Sequence, residues 1–467
     1  MTKSAKKTGN YEIDRQPHAQ AFFEQLPSEV EKVTWPLAKL HALRDERLRA
    51  LIRKAKQDSP WHARRLKHIN PDTLSGSDLS EIPTMTKADL MENWDEIVTD
   101  RNLNLALANQ HIARISKEGP AYLLDEYHVI TSGGSSGLRG VFVADFEEWL
   151  AGALAILRHS IWIDQNMNDT GAKRRASIGA GDVTHASIAS VHTFFGVDTS
   201  GMSRSFPITS PFPEIRAGLN EFQPTNIIAY PSAMHRLALE QQAGRLDIAP
   251  QSIMCVAEPL LPEARQIIAE AFGTVPMNMY GCSECGPVAH AYPGSPGLHV
   301  VEDTSIYEPV DSQGRPVPSG TMADKLLVTN VINQTLPLIR YELTDKVTFL
   351  DEPNPGPWTG RRMADLEGRL DDHLIYPGGV DVAPIIFWTI FGTMPEVFEY
   401  QVQQTSNGVK VLVRHNDPIN LDAIAYRVWA DLVNVGLSNP EVVVTAVDHI
   451  ERHAATGKLK RFVPMKE

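Results

Sequence analysis

Three cysteines in 467 residues, Cys255, Cys282 and Cys285, are too few and too odd in number for a disulfide framework and point to a reducing compartment. Long apolar runs are also missing. The best one, Ala151 to Ile163, is interrupted by Arg158 and His159, so no membrane-spanning segment is expected. The amino-terminal MTKSAKKTGNYEIDRQ is basic but lacks the apolar centre of a signal peptide, and a cytoplasmic location is expected. Positive charge is in deficit, with 44 Lys and Arg against 57 Asp and Glu and a formal net charge of −13. That balance argues against bulk attraction to nucleic acid or an anionic membrane, and leaves room for a local basic pocket that takes a small anion. No internal repeat or low-complexity stretch is evident. What the chain does have is a 42% hydrophobic content, ample for a large core, and a length that suggests two or three domains.

Apolar spacing predicts an amphipathic helix over Pro36 to Lys56, with Leu37, Leu40, Leu43, Leu48, Leu51, Ile52 and Ala55 near one face and Pro60 as the stop beyond it. The four arginines and two lysines between Arg44 and Lys56 then read as that helix's solvated face. Asp145 and Glu148 suit a capping box for a helix that buries Trp149, Leu150, Ala153 and Leu154. Between residues 200 and 350, strand runs such as 226–230 and 325–328 alternate with helical ones such as 262–272, an α/β pattern. The last hundred residues differ: 397–402 and 409–413 flank Asn407-Gly408, a hairpin signal, then Asn420 caps a helix and 441–447 is a strand. This order describes a small α+β domain. The expected division is 1–370 and 371–467, with a hinge in GRLDDHLIYPGG around Asp371.

The stretch TSGGSSGLRG, residues 131–140, stands behind the apolar run 127–130 and precedes another at 141–143. So many glycines weaken regular structure, which makes this a ligand-facing loop or a flexible linker. No Gly-Lys-Ser/Thr stands at the spacing of a nucleotide-hydrolase P-loop. Two chemical readings remain beside a plain surface loop. Amides freed by Gly133, Gly134 and Gly137, with the hydroxyls of Thr131, Ser132, Ser135 and Ser136 and the charge of Arg139, suit a phosphate cradle. The five residues GGSSG also fit G-x-S-x-G, the elbow of a serine hydrolase with Ser135 as nucleophile.

Four further stretches, MYGCSECG at 279–286, RYELTD at 340–345, GRLDD at 368–372 and TGKLKR at 456–461, stand in order behind the glycine loop. Together the five resemble the signature motifs of the acyl-adenylate-forming superfamily of acyl-CoA synthetases, nonribosomal adenylation domains and luciferases. DERLRALIRKAKQDSPWHARRL, IPTMTKADL, GLHVVEDT and LPLIRY are similar to the phenylacetate-CoA ligase subgroup. The resemblance implies a large α/β amino-terminal domain of sheets packed with helices and a small mobile α+β domain. It also implies an enzyme that joins a carboxylic acid to AMP at the expense of ATP and passes the acyl group to coenzyme A. An amine acceptor is the alternative. The acid is of aryl type, such as phenylacetate or benzoate, or short and branched or hydroxylated, such as 2-hydroxyisobutyrate. Expected partners are ATP, Mg²⁺, coenzyme A and the acid, in a monomer or homodimer.

Residue by residue, the resemblance implies that Gly133, Gly134, Gly137 and the loop's hydroxyls hold phosphates, with Arg139 where the family usually has lysine. Glu284 is the catalytic carboxylate that helps hold Mg²⁺. Tyr280 flanks the adenine, and Gly281, Cys282, Ser283, Glu258 and Pro259 line the nucleotide. Asp345 accepts from the ribose hydroxyls, and Arg369 lies nearby. Lys458 bridges the reacting anions, Asp371 is the hinge, and His185, or His192 in its place, meets the substrate carboxylate. Two departures stand out: Thr344 replaces the family's glycine before the aspartate, and Asp324-Lys325-Leu326 replaces Gly-Glu-Leu. The spacing Cys282-x2-Cys285-x4-His290-x8-His299 also admits a zinc site, although buried thiols are the preferred reading, since Cys282 sits in a nucleotide motif.

Overall fold

The computed structural model describes residues 8–132, 140–167, 173–196, 201–208, 210–352, 354–366, 372–377, 380–382, 384–391, 394, 396–415, 418–452 and 459–465. Among the described residues the large sheet has ten strands, built around a parallel block. Arg175–Gly179 pairs in parallel with Ser203–Pro207 and Asn226–Ala229, and the latter with Ser252–Val256 and then Met277–Cys282. Antiparallel strands continue the sheet from Gly286–Ala291 outward. Helices Phe212–Phe222, Pro231–Gln242 and Pro262–Phe272 connect or follow the parallel strands, and their apolar faces join strand residues in one core that includes Ile178, Leu219, Ile227, Met234, Ile253 and Ile268. A second core centres on Trp94, Leu150, Val288 and Tyr341, where helix Phe146–Asn166 packs onto the sheet. That helix opens with the expected capping box: Asp145 Oδ1 accepts from Glu148 N at 2.9 Å and Glu148 Oε2 from Asp145 N at 2.9 Å.

Residues from Leu374 onward build a third core of Tyr376, Val382, Val411, Val428 and Phe462. Val397–Thr405 and Gly408–His415 form the hairpin about Asn407-Gly408. Gly408 is required there because a Cβ would stand 1.9 Å from the Glu441 carbonyl oxygen. Helix Leu421–Asn434 is capped by Asn420, and Glu441–Ala446 pairs in parallel with the hairpin, as does Phe462–Val463 on its other edge.

The expected helix runs Leu37–Asp58 and ends before Pro60, which also opens a further helix, Pro60–Arg65, capped by Ser59 through its Oγ. One expectation changes. The basic face of Leu37–Asp58 is only partly solvated. Arg44 is buried, and Arg44 and Arg47 turn inward to the fully buried carboxylates of Glu302 and Asp303. Asp303 also holds the buried Arg158, so this charge pattern anchors the amino-terminal helices to the sheet. Among the described residues no helix is long and apolar enough to cross a membrane.

Candidate nucleotide and acid site

The segments that succeed the parallel strands, 180–185, 230–232, 257–259 and 283–285, leave the sheet from one edge, where α/β sheets ordinarily bind ligands. Backbone strain marks the same edge. Ala257, just before Glu258, and Arg340, just before Tyr341, hold φ of +68° and +53°, the left-handed region that side chains disfavour. Thr344 is not among the left-handed residues, so threonine fits the backbone where the family has glycine.

Met277–Cys282 turns back into Gly286–Ala291 with a bulge after Tyr280, and a Cβ on Gly281 would sit 3.0 Å from the Gly286 carbonyl oxygen. The hairpin sends Tyr280 inward. Its hydroxyl donates to Asp345 Oδ2 at 2.8 Å, and burial, then the Asp345 charge, pushes the phenol well above its ordinary value. Two motifs that lie 65 residues apart are thereby joined at their key side chains. Asn330 Nδ2 donates to the Glu284 carbonyl at 3.1 Å and pins the turn. The Glu284 carboxylate is buried, with Lys87 Nζ 3.7 Å away. The Tyr341 hydroxyl is buried with no hydrogen-bond partner among the described residues, and its phenol is raised by burial first and by Glu284 next.

Lys87 is the residue that motif reading did not select, although it stands in IPTMTKADL. Thr86 caps the helix Lys87–Glu92 in a reciprocal box with Asp89. Met85 pairs with the strand of RYELTD through Met85 N to Arg340 O at 3.0 Å and Glu342 N to Met85 O at 2.9 Å. These bonds aim Lys87 Nζ between Glu284 and Ser132 Oγ, 3.5 Å away. Ser132 in turn closes the neck of the glycine loop: its Oγ accepts from Gly140 N at 2.9 Å and its N–H donates to Gly140 O at 3.0 Å. Thr131 N donates to Thr184 O at 2.9 Å, which brings residues 182–185 against the same neck. Of the two histidine alternatives, His185 is the N-cap residue of helix Ala186–Phe194, beside Thr184. His192 lies on that helix among Glu12 and Arg15 of the amino-terminal segment; burial lowers its pKa. Asp182 carries the opposite balance: burial raises its pKa, but hydrogen bonds from Ser116 and Thr184 and the nearby His185 bring it below the ordinary value.

Glu258 Oε2 accepts from Ser232 N at 3.1 Å while its Oε1 is buried with no hydrogen-bond partner among the described residues, and Pro259 stands next to it, half-buried, at the same edge. Lys325 pairs with Glu342 at 2.7 Å, and Glu342 accepts from Thr84 at 2.8 Å, so the departure at 324–326 still supports the strand that carries Tyr341. The zinc reading is not supported. Cys282 Sγ and Cys285 Sγ are 3.3 Å apart, but among the described residues no three His, Cys, Asp or Glu come together to hold a metal. An extended chain advances about 3.3 Å per residue, so His290 lies about 16 Å along from Cys285. There it stacks on His159 at 4.6 Å, and His299 packs edge-on to Trp358. Gly133, Gly134, Ser135, Ser136, Gly137, Arg139, Arg369, Asp371 and Lys458 lie outside the described residues.

Doubly wound strands with strained turns, a glycine-loop neck and a buried Tyr–Asp pair at their carboxyl ends define a nucleotide-binding α/β enzyme. The chain matches the AMP-binding enzyme family over residues 41–326 and belongs to it. A phenylacetate-coenzyme A ligase of Thermus thermophilus is 27% identical over 390 residues, 79% of each chain. Protein CapK of Staphylococcus aureus is 22% identical over 338 residues, 67% of this chain and 64% of that one. In fold, the chain is similar to 2-hydroxyisobutyryl-CoA ligase in the postadenylation state with R3-HIB-AMP, with a TM-score of 0.70, 17% identity and coverage of 93% and 91%. Against the same ligase in the thioesterification state the TM-score is 0.58 at 18% identity, with coverage of 93% and 91%.

Proposed function

We propose that this chain is an AMP-forming acid–coenzyme A ligase. A carboxylate oxygen attacks the α-phosphorus of ATP and pyrophosphate leaves; the coenzyme A thiol then attacks the acyl carbon and AMP leaves. The carrying observation is the convergence of Tyr280–Asp345 and of Glu284, Lys87 and Ser132 on one sheet edge within an AMP-binding enzyme. The similarity to a phenylacetate-coenzyme A ligase supports the acid and the thiol acceptor.

In this reading Asp345, oriented by Tyr280, accepts from the ribose hydroxyls, and Glu258, Pro259 and residues 280–283 line the base. Ser132, the glycine loop with Arg139, and Lys87 face the phosphates. Glu284 is a single carboxylate, which fits Mg²⁺: that ion keeps several waters and takes its other oxygens from substrate phosphates rather than from an all-protein cage. Bound there, the ion would neutralise phosphate charge. His185 faces the acid's carboxylate. Lys458, in a small domain of residues 371–467 turning about Asp371, meets the anions during the first step and leaves for the second. The location is the cytoplasm, in line with the sparse cysteines.

A panel of aryl, branched and hydroxylated acids, assayed for pyrophosphate release with and without coenzyme A and for thioester by mass spectrometry, tests this reading. It fails if no acid supports ATP-dependent pyrophosphate release. Labelling of Ser135 by a fluorophosphonate, with ATP-independent turnover, would establish the hydrolase instead. Release that depends on amines rather than coenzyme A would mark the amide-forming ligase.

A further inference from the structure

The hairpin that presents Glu284 has a thiol at each foot of its turn. Strand Met277–Cys282 ends on Cys282, strand Gly286–Ala291 begins one residue after Cys285, and Cys282 pairs with Gly286 across the hairpin. That register brings the two side chains together, with their Sγ atoms 3.3 Å apart. Cys285 is buried, while Cys282 is half-buried. Two thiols in contact, with no third metal-ligating group beside them among the described residues, suit covalent pairing better than a metal. The remaining cysteine, Cys255, is buried beside Asn278 and so stands about 13 Å back along the strand from Cys282, at roughly 3.3 Å per residue. Cys282 and Cys285 are therefore the one pair in the chain placed to join. In a reducing compartment a disulfide is ordinarily transient and regulatory or catalytic, not a structural staple.

What lies between the two thiols makes their state matter. Glu284 is held from both ends: its carbonyl accepts from Asn330 Nδ2 at 3.1 Å, and its carboxylate stands 3.7 Å from Lys87 Nζ. The strands at the turn are already close, since a Cβ on Gly281 would sit 3.0 Å from the Gly286 carbonyl oxygen. Bonded sulfurs lie about 2 Å apart, so joining these two draws them together by more than about 1 Å. With little slack in the strands, the turn must absorb that movement. Misplacement of a site group by about 1 Å costs on the order of 10²-fold.

We propose that Cys282 and Cys285 are a reversible redox switch whose disulfide form displaces Glu284 and weakens nucleotide binding. The oxidant is a small-molecule disulfide such as glutathione disulfide. Cys282 gives up its proton and its sulfur attacks one sulfur of the oxidant, forming a mixed disulfide and releasing one thiol. Cys285 then gives up its proton and attacks the Cys282 sulfur, closing the ring and releasing the second thiol. The two cysteines lose two electrons and the oxidant gains them. Contact with Cys285 first, and burial next, raise the Cys282 thiol well above its ordinary value, so exchange is slow and the switch answers sustained oxidation, not a brief pulse. The effect on nucleotide rests on the ligase reading of Glu284; formation of the disulfide does not.

The full chain, equilibrated in a series of reduced and oxidised glutathione mixtures, alkylated and digested, would be mapped by mass spectrometry for the Cys282–Cys285 link. Isothermal titration of the same samples with Mg²⁺ and α,β-methylene-ATP reads the site without turnover. The linked fraction should rise with the oxidised share while Cys255 stays a thiol. Nucleotide affinity should fall in step with it, by on the order of 10²-fold in the fully linked protein, and return on reduction with dithiothreitol. Cys285→Ala, which cannot form the link, should bind nucleotide equally in every mixture. Should that variant lose its native circular dichroism, the parallel between linked fraction and lost binding in the parent decides alone. Absence of the link in excess glutathione disulfide, a link that leaves affinity within twofold, or equal sensitivity in folded Cys285→Ala overturns the proposal. Reduced protein that forms no link and binds no nucleotide overturns both the switch and the ligase reading, whereas a link without effect on a binding-competent chain overturns the switch alone.

Discussion

Lys87→Ala separates phosphate binding from structural support. Lys87 Nζ stands 3.7 Å from Glu284 and 3.5 Å from Ser132 Oγ, and its side chain is 22% exposed. An ion pair this long and this accessible contributes little to stability, about 0–1 kcal/mol. A charge-assisted hydrogen bond to phosphate is worth about 1.5–3 kcal/mol, or on the order of 10- to 100-fold in kcat/KM for ATP at tenfold per 1.4 kcal/mol. Activity should therefore fall far more than stability does. Steady-state pyrophosphate release over a range of ATP, beside urea unfolding, reads both, and Lys87→Arg should recover part of the loss because it keeps the charge while changing its geometry. The reasoning is refuted if KM for ATP and the rate stay within twofold of the parent, or if the alanine variant loses activity only in proportion to folded protein.

Tyr280→Phe removes the donor to Asp345 in a buried pair and should cost about 1–3 kcal/mol of stability together with a higher KM for ATP; an unchanged KM would detach Asp345 from the nucleotide. Asp345→Asn should lose the preference for ATP over its 2′- and 3′-deoxy analogues, measured by competition. His62 and His290 are fully buried and held at about 3 instead of 6.5, burial being the main cause and Arg65 and Arg158 the next. The unfolded chain takes up these protons below about pH 6.5 and the folded chain only near 3, so stability falls as pH falls through that window, by at most roughly 2 kcal/mol per histidine between pH 7 and 5. A urea midpoint at pH 5 equal to that at pH 7 would contradict this. Lys458→Ala should lose acyl-adenylate formation by on the order of 10²–10³ while still converting supplied acyl-AMP and coenzyme A; equal loss of both steps would remove its assigned role.

Local signals carried far where the physics is local. The Asp145–Glu148 box, the Asn407-Gly408 turn and the Asn420 cap are decided by neighbours within a few residues, and each stands where its residues indicate. Arg44 and Arg47 misled because their partners, Glu302 and Asp303, lie more than 250 residues away, and only the sheet brings those carboxylates under the helix. Lys87 was hidden for a related reason. Its segment has no chemical motif of its own and acquires one by pairing with the RYELTD strand. The zinc spacing failed because a strand, not a turn, separates Cys285 from His290.

The proposed reaction turns on one bond: a carboxylate oxygen becomes attached to the α-phosphorus of ATP before the acyl group moves to a thiol. An accepted acid labelled with ¹⁸O in its carboxylate, turned over with ATP and coenzyme A and analysed by mass spectrometry, reads that bond in the products. One ¹⁸O should appear in the AMP released and none in pyrophosphate, with acyl thioester equal in amount to AMP. Label in inorganic phosphate with formation of ADP, or unlabelled AMP beside product, would contradict the mechanism.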